Sequence, residues 1–375
     1  MQATKQKTPL LRKPWFQTLL ASLVCILLGL LVGYIALLII NPAGATEAIL
    51  DVIKNFWAYS KPEKQLKNFG ITLVTTAPLL MCSLSVLFAY KVGLFNIGAA
   101  GQYVAGAGAC LYCALALKLP WIACLLAAIL AGMLLGVISG ALKAYRNVNE
   151  VISCIMLNWI SLYLVNTLLA PVKNPTGKDT YTLASQNEGA ILPTASLNNL
   201  FGQKNVTIAI PLAIIMCVII WVLLNKTKLG FELRATGLNK NAAKDCGMRD
   251  RQNIILTRAI AGALAGMGAA MLYLSDFEQW AVTQASVPAM GFNGIAAAFL
   301  GGLNPIGAIF SSYFIQHITR GGGNVNMNMY CAQISDLISS VIIYMCGFVL
   351  FMKQFMNKRL DASESKSREK GGNAA

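Results

Sequence analysis

Apolar residues in this chain gather into long, nearly continuous runs separated by short charged or glycine-rich stretches. The runs are Trp15–Ile40, Phe69–Tyr90, Leu94–Leu117, Pro120–Leu142, Val151–Pro171, Val206–Leu224, Ile254–Leu274, a glycine-interrupted stretch Gly291–Ile318, and Gln333–Met352. A helix needs roughly 20 apolar residues to cross a bilayer. The pattern therefore predicts an all-α polytopic membrane protein with about eight to ten transmembrane helices, broken or re-entrant half-helices among them. The first run follows a basic tail, is too long for a signal-peptide core and lacks a small-residue cleavage site, so it reads as a retained span.

Composition removes the soluble alternative. Of 375 residues, 56% are hydrophobic and only 12% charged, with a mean hydropathy of +0.60; a soluble domain carries about 25% charged residues. The net charge of +15 would suggest nucleic acid in a soluble chain, but here it sets orientation, and no nucleic-acid partner is expected. Counting alternately from a cytoplasmic N-terminus puts 21 of the 30 Lys and Arg inside and 9 outside. That asymmetry predicts a cytoplasmic basic tail (1–14), a transmembrane domain (15–356) and a cytoplasmic polar tail (357–375). Within the domain lie an outer loop at 172–205 and an inner one at 226–252, whose basic residues can lie on membrane lipid.

Parity then requires Gly291–Ile318 to enter and return from one side. The hinge is placed at Gly301-Gly302-Leu303-Asn304-Pro305, where glycine permits the bend and proline has no N–H to satisfy. Gly29/Gly33, Gly132/Gly136/Gly140 and Gly262/Gly266 recur every four residues, a spacing for close helix contact, and packing within the chain is the expected use. Cys110 and Cys113 form a C-x-x-C inside an apolar run and are expected to pack rather than to do redox work.

Four stretches carry polar residues where a bilayer makes them costly. In KVGLFNIGAAGQYVAGAG (91–108), Phe95, Asn96 and Gln102 lie among glycines; intramembrane amides serve as helix glue or as part of a solute path, and the exposed backbone at Gly98 and Gly101 favours a path. In VNEVISCIMLNWIS (148–161), Glu150 suits a helix N-terminus, and the deeper Asn158 is the path candidate. The loop KTKLGFELRATGLNKNAAKDCGMRDRQ (226–252) predicts a short helix capped by Asn239 and ended by Gly247, a shape suited to docking. In GFNGIAAAFLGGLNPIGAIF (291–310), Asn293 and Asn304 bracket the break, as half-helix ends do at solute sites. No metal-ligand spacing is present, and His317 has no acid or nucleophile in motif spacing.

GLFNIGAAGQ, VNEVISCIMLNWIS, LRATGLNKNAAKDCGM and GFNGIAAAFLGGLNPIG, in this order, resemble the membrane permeases of bacterial ABC importers for simple sugars, branched-chain amino acids and nucleosides, the nucleoside subgroup most closely. The resemblance runs from about Lys67 to Met352 and implies a location in the bacterial cell membrane. It implies a translocation subunit paired with a second homologous permease, an ATPase with two nucleotide-binding units and a lipid-anchored extracellular solute-binding protein. It also implies that LRATGLNKNAAKDCGM is the coupling segment seated on the ATPase, with Arg234, Ala235, Gly237, Asn239, Ala242, Ala243 and Gly247 its coupling residues. The family usually has Glu where this chain has Ala100. No G-x-x-x-x-G-K-[ST] is present, so ATP and Mg belong to the partner subunit and no cofactor is expected here. A secondary transporter would need intramembrane ionisable groups, and the runs offer almost none beyond Glu150 at an edge; an enzyme would need a polar catalytic cluster, which is missing. A ribose-like or galactose-like sugar is the alternative solute.

Overall fold

The computed structural model describes residues 14–326, 329–330, 333–349 and 351–359, and the two expected tails fall almost wholly outside them. The described chain is helical, with only isolated bridges at Lys173–Thr180 and Asp179–Ala281. In order come α1 (Pro14–Ile40), α2 (Ala45–Lys54), α3 (Pro62–Lys91), α4 (Ala99–Leu115), α5 (Trp121–Arg146) and α6 (Glu150–Leu169). The short α7 (Leu183–Gln186) and α8 (Leu197–Phe201) lead to α9 (Ala209–Lys226), and α10 (Lys228–Leu238) and α11 (Lys240–Asp245) to α12 (Asp250–Tyr273). The chain closes with α13 (Met290–Leu300), α14 (Pro305–Gly321) and α15 (Gln333–Cys346). Among the described residues six helices (α1, α3, α5, α6, α9 and α12) are long and apolar enough to cross a membrane. The chain is a multi-pass membrane protein of the all-helical class that its apolar runs predict.

Helix α3 is the axis of the bundle. Its apolar window is 89% buried and that of α12 78%, against a third or less for α1, α5, α6 and α9. Pro62 at its first position and Glu63 in its first turn suit a helix start, where an N–H is unneeded and negative charge meets the dipole. The outer helices turn rows of Leu and Ile outward, as on α5, where Leu126, Leu130 and Leu134 are more than half exposed. That surface is the one lipid can cover.

Glycine decides which helices touch most closely. Gly132 and Gly136 of α5 lie on Gly262 and Gly266 of α12: a Cβ added at Gly262 would stand 2.9 Å from the carbonyl carbon of Gly132, and one at Gly132 would stand 3.0 Å from the Cα of Gly266. Only hydrogen fits between two backbones at that separation. Gly29 and Gly33 of α1 meet Ile342 and Ile338 of α15 in the same way, at 2.9 Å from the Cα of Ile342 and 3.3 Å from a methyl of Ile338. These glycine repeats serve packing inside the chain.

The break after α13 falls at the hinge segment. Gly302 and Leu303 are left-handed (φ +66° and +55°), and Pro305 opens α14, with the Asn304 Oδ1 accepting from Ile306 N–H at 3.0 Å. The α13 and α14 arms stay close: Ser311 Oγ donates to the Ala297 carbonyl at 2.6 Å, and Ser22 Oγ of α1 donates to the Leu300 carbonyl at 2.8 Å. The hinge lies beside the start of α1, whereas Gly321 at the far end of α14 packs on the Val52 backbone of α2. α13 and α14 therefore go in and return, as parity of the spans demands.

The polar richness of 172–205 has a structural cause. Asp276 accepts from the N–H groups of Leu183 (2.8 Å) and Ala184 (3.3 Å), and Asn187 Nδ2 donates to the carbonyls of Ala114 (2.9 Å) and Leu119 (3.0 Å). Asn205 Nδ2 reaches the Ser275 carbonyl at 2.9 Å. The loop is a lid whose side chains satisfy the backbone ends of α4 and α12.

Candidate functional site

The turn 92–98 between α3 and α4 is the centre of a buried polar network. Asn96 Nδ2 donates to Ser85 Oγ (3.0 Å) and to Gln102 Oε1 (2.9 Å). Asn158 of α6 clamps the same segment from the side, its Oδ1 accepting from Gly101 N–H at 2.8 Å and its Nδ2 donating to the Ile97 carbonyl at 3.2 Å. Arg258 of α12 completes it: Nη1 donates to Asn96 Oδ1 at 2.9 Å and Nη2 to the Phe95 carbonyl at 3.1 Å. Arg258 is 0% exposed, and its Nε has no partner among the described residues. Gly140 makes room for it, since an added Cβ there would lie 3.0 Å from the Arg258 Cβ.

Arg258 is one of the 21 Lys and Arg counted as inside, tallied there with the seven of the inner loop, and its place in the structure corrects that count. α12 begins at Asp250, so Arg258 stands two turns inside the helix, within the apolar run itself. A signal existed in that position: an arginine flanked by Thr257 and Ala259 inside a span is costly unless acceptors await it. What the sequence could not supply is that those acceptors come from residues 95 and 96.

The six solute-path candidates divide. Asn96, Gln102 and Asn158 are all at or below 2% exposure and bonded within the network. Phe95 and Asn293 are half-buried, and no hydrogen bond of the Asn293 side chain is found among the described residues. Asn304 lies apart, in the wall of a groove of about 860 Å³ between α1 and α14 that is also lined by Thr18, Ser22, Phe310 and Lys353. Ala100 is buried with Gly291 pressed on it, an added Cβ on Gly291 meeting the Ala100 Cβ at 2.9 Å. The starts of α4 and α13 thus touch.

Replacing Asn158 by leucine strips the partners of the Gly101 N–H and the Ile97 carbonyl, each worth about 1–3 kcal/mol when left unsatisfied in a buried site. The expected result is a melting temperature several degrees lower with near-normal uptake per assembled complex. Unchanged stability with slowed uptake would instead put Asn158 on the solute path.

The inner loop holds two helices where one short helix was expected. Thr227 caps α10, its Oγ1 accepting from Gly230 N–H at 3.0 Å, and Asn239 caps α11, its Oδ1 accepting from the N–H groups of Asn241 and Ala242, both at 3.1 Å. Gly247 follows α11 in the left-handed region (φ +78°). Of the coupling candidates, Gly237, Asn239, Ala242 and Gly247 are exposed, Arg234 and Ala235 half-buried, and Ala243 buried against the protein itself. Leu238, at the α10–α11 corner, is 88% exposed. Asn253 Nδ2 donates to Thr236 Oγ1 at 2.8 Å, joining α12 to α10, and Gly237 packs on the backbone of Val92 and Gly93. The corner is thus held from within and bare outside.

A multi-pass bundle with a broken helix pair inside it and a capped helix pair projecting from one end has the build of a transporter's translocation subunit. The chain belongs to the branched-chain amino acid transport system permease component family, whose model matches residues 68–346; it is a permease subunit and not an enzyme. It is 32% identical to the guanosine ABC transporter permease protein NupP of Bacillus subtilis (strain 168), over 87% of this chain and 92% of that one. It is 30% identical to the nucleoside ABC transporter permease protein NupB of Lactococcus lactis subsp. cremoris (strain MG1363), over 95% and 98%. A second guanosine permease of the same Bacillus strain, NupQ, is 27% identical over 65% of this chain and 77% of its own. No solved structure matches the chain.

Proposed function

We propose that this chain is the translocation subunit of an ATP-driven nucleoside importer. The observation that carries the reading is the end-to-end similarity to guanosine and nucleoside permeases. Because one bacterium holds two guanosine permeases similar to this chain, the second half of the pore is a homologous permease. An ATPase with two nucleotide-binding units docks on α10 and α11, and a lipid-anchored extracellular binding protein delivers solute at the opposite end.

Orientation follows from charge. With Arg258 withdrawn from the loop count, 20 Lys and Arg against 9 still favour the α10–α11 end as cytoplasmic, with both termini on that side. The solute path is placed beside the half-helices, where Phe95 offers an aromatic face and Asn293 and Asn304 offer amides with accessible surface. Asn96 and Gln102, bonded to each other, and Asn158, bonded to the backbone of Gly101 and Ile97, join it only in a conformation that breaks those bonds. A path of weak neutral sites suits a nucleoside, which must leave as readily as it enters.

The test is competition in cells producing the chain with its partner subunits. Labelled guanosine uptake should be suppressed by excess unlabelled guanosine or adenosine and untouched by ribose. Suppression by ribose alone would replace the nucleoside with a simple sugar.

A further inference from the structure

We propose that Arg258 is a positioning residue that makes the turn 92–98 follow the coupling helices, so that movement imposed on α10 reaches the starts of α4 and α13. The proposal rests on the reading of α10–α11 as the ATPase dock.

The turn is gripped from two sides. On its outer side Gly93, left-handed at φ +76°, lies against the last turn of α10: an added Cβ would meet the Gly237 carbonyl oxygen at 2.7 Å and its Cα at 3.0 Å. Two glycine backbones in contact leave no side chain to absorb a displacement. On its inner side the next residues are held by the fork of Arg258, one arm on Asn96 Oδ1 and the other on the Phe95 carbonyl. α12, which carries Arg258, is itself bonded to α10 through Asn253 and Thr236, both at or below 5% exposure. Thus α10, α12 and the turn form a closed loop of contacts. Beyond the turn, Gly101 in the first turn of α4 is in the grip of Asn158, and Ala100 touches Gly291 at the start of α13.

The chemistry of the guanidinium points to a working contact rather than a static one. Arg258 is wholly buried and makes no ion pair among the described residues: the Glu150 carboxylate lies near enough to feel its charge but is paired with Lys143, and Arg258 itself has two neutral oxygens as acceptors, a thiol sulfur (Cys154) at 3.6 Å and an idle Nε. A buried cation is held most firmly by a bonded anion, and less firmly by carbonyl oxygens. A fork satisfied only by neutral oxygens holds the turn firmly enough to move it and weakly enough to release it. The planar fork also fixes direction, which a lysine ammonium cannot do.

The test uses the complete complex, with second permease, ATPase and binding protein, in proteoliposomes with Mg-ATP and guanosine. Arg258→Gln should assemble with the ATPase and lower guanosine transported per ATP hydrolysed at least tenfold, with Arg258→Lys restoring little of it. Asn96→Asp works in the other direction: it gives Arg258 a bonded counter-charge, and the Ser85 hydroxyl and a turned Gln102 amide can donate to the new carboxylate in place of the two bonds Asn96 donated, so the melting temperature should not fall while uptake slows several-fold. If Arg258→Gln does not assemble, Asn96→Asp alone decides. Wild-type transport per ATP in Asn96→Asp, or in an assembled Arg258→Gln complex, overturns the proposal. If the wild-type complex hydrolyses ATP but moves no guanosine, the solute assignment fails; the Arg258 proposal is then judged on ATP turnover, which both variants must alter and whose constancy refutes it. An ATPase that does not bind the wild-type chain refutes the dock and the proposal together.

Discussion

Replacing Leu238 by aspartate will leave the permease folded in the membrane and lower solute uptake more than tenfold, with loss of the co-purifying ATPase. Leu238 is the most exposed large apolar side chain among the described residues, at 88%, and it stands at the corner between two capped helices. Burying a leucine under a partner contributes roughly 1.5–3 kcal/mol, and a carboxylate put there adds the cost of desolvating an unpaired charge. Both effects fall on the interface, since Leu238 has little contact within its own chain. The measurement is pull-down of the ATPase on the tagged permease beside uptake by the same cells. Full recovery of ATPase with normal uptake would remove α10–α11 from the docking surface. Ala243→Asp, although only five residues away, should behave differently, because Ala243 faces inward and its substitution melts the corner itself.

The second large effect is expected at the α5–α12 seam, where Gly262→Leu should abolish accumulation of folded protein. An added Cβ at Gly262 alone would lie 2.9 Å from the Gly132 carbonyl carbon and 3.3 Å from the Gly136 Cα. Those neighbours are backbone, and they cannot rotate away. Overpacking a core costs typically 1–3 kcal/mol when side chains can shift; here the helices must part, which also pulls Arg258 from its acceptors. Size-exclusion of detergent-solubilised protein, with Gly177→Ala as control, provides the check. Gly177 has open space, its nearest neighbour to an added Cβ being 3.9 Å away. A monodisperse, wild-type-like peak for Gly262→Leu would show that the helices are not locked at this seam.

Much of the architecture could be read from the sequence because a bilayer simplifies the problem. Long apolar runs had to be helices, and glycine every fourth residue had to mean close approach; α1 ends at Ile40, as its apolar run does. The break at Gly301–Pro305 was legible because glycine and proline act on their own backbone, whatever surrounds them. Boundaries set by turns were less legible: the run from Leu94 suggested a helix start there, but α4 begins at Ala99 because the left-handed Gly93 and the network at Asn96 keep 92–98 out of the helix. α2 and α10 were missed because a helix of ten or eleven residues leaves no long apolar run. The partners of the amides were hidden for another reason: Asn96 and Arg258 are 162 positions apart. A chain read in one dimension shows that a polar group is in the membrane, not which neighbour satisfies it.

The position of Arg258 in the chain has a consequence for biogenesis. An arginine near the middle of a helix costs about 2.5–3.5 kcal/mol to insert, and α12 is the least apolar of the six long spans among the described residues. Every group that receives Arg258 precedes it: Phe95 and Asn96 in the turn, Cys154 on α6, and Gly140, which leaves space on α5. Synthesis runs from the N-terminus, so the receiving groups are already in the bilayer when the arginine leaves the ribosome. α12 therefore does not have to be hydrophobic enough to insert alone. A circular permutant that translates α12 before α5 would present the same residues in the reverse order, and the arginine would reach the lipid with nothing there to meet it.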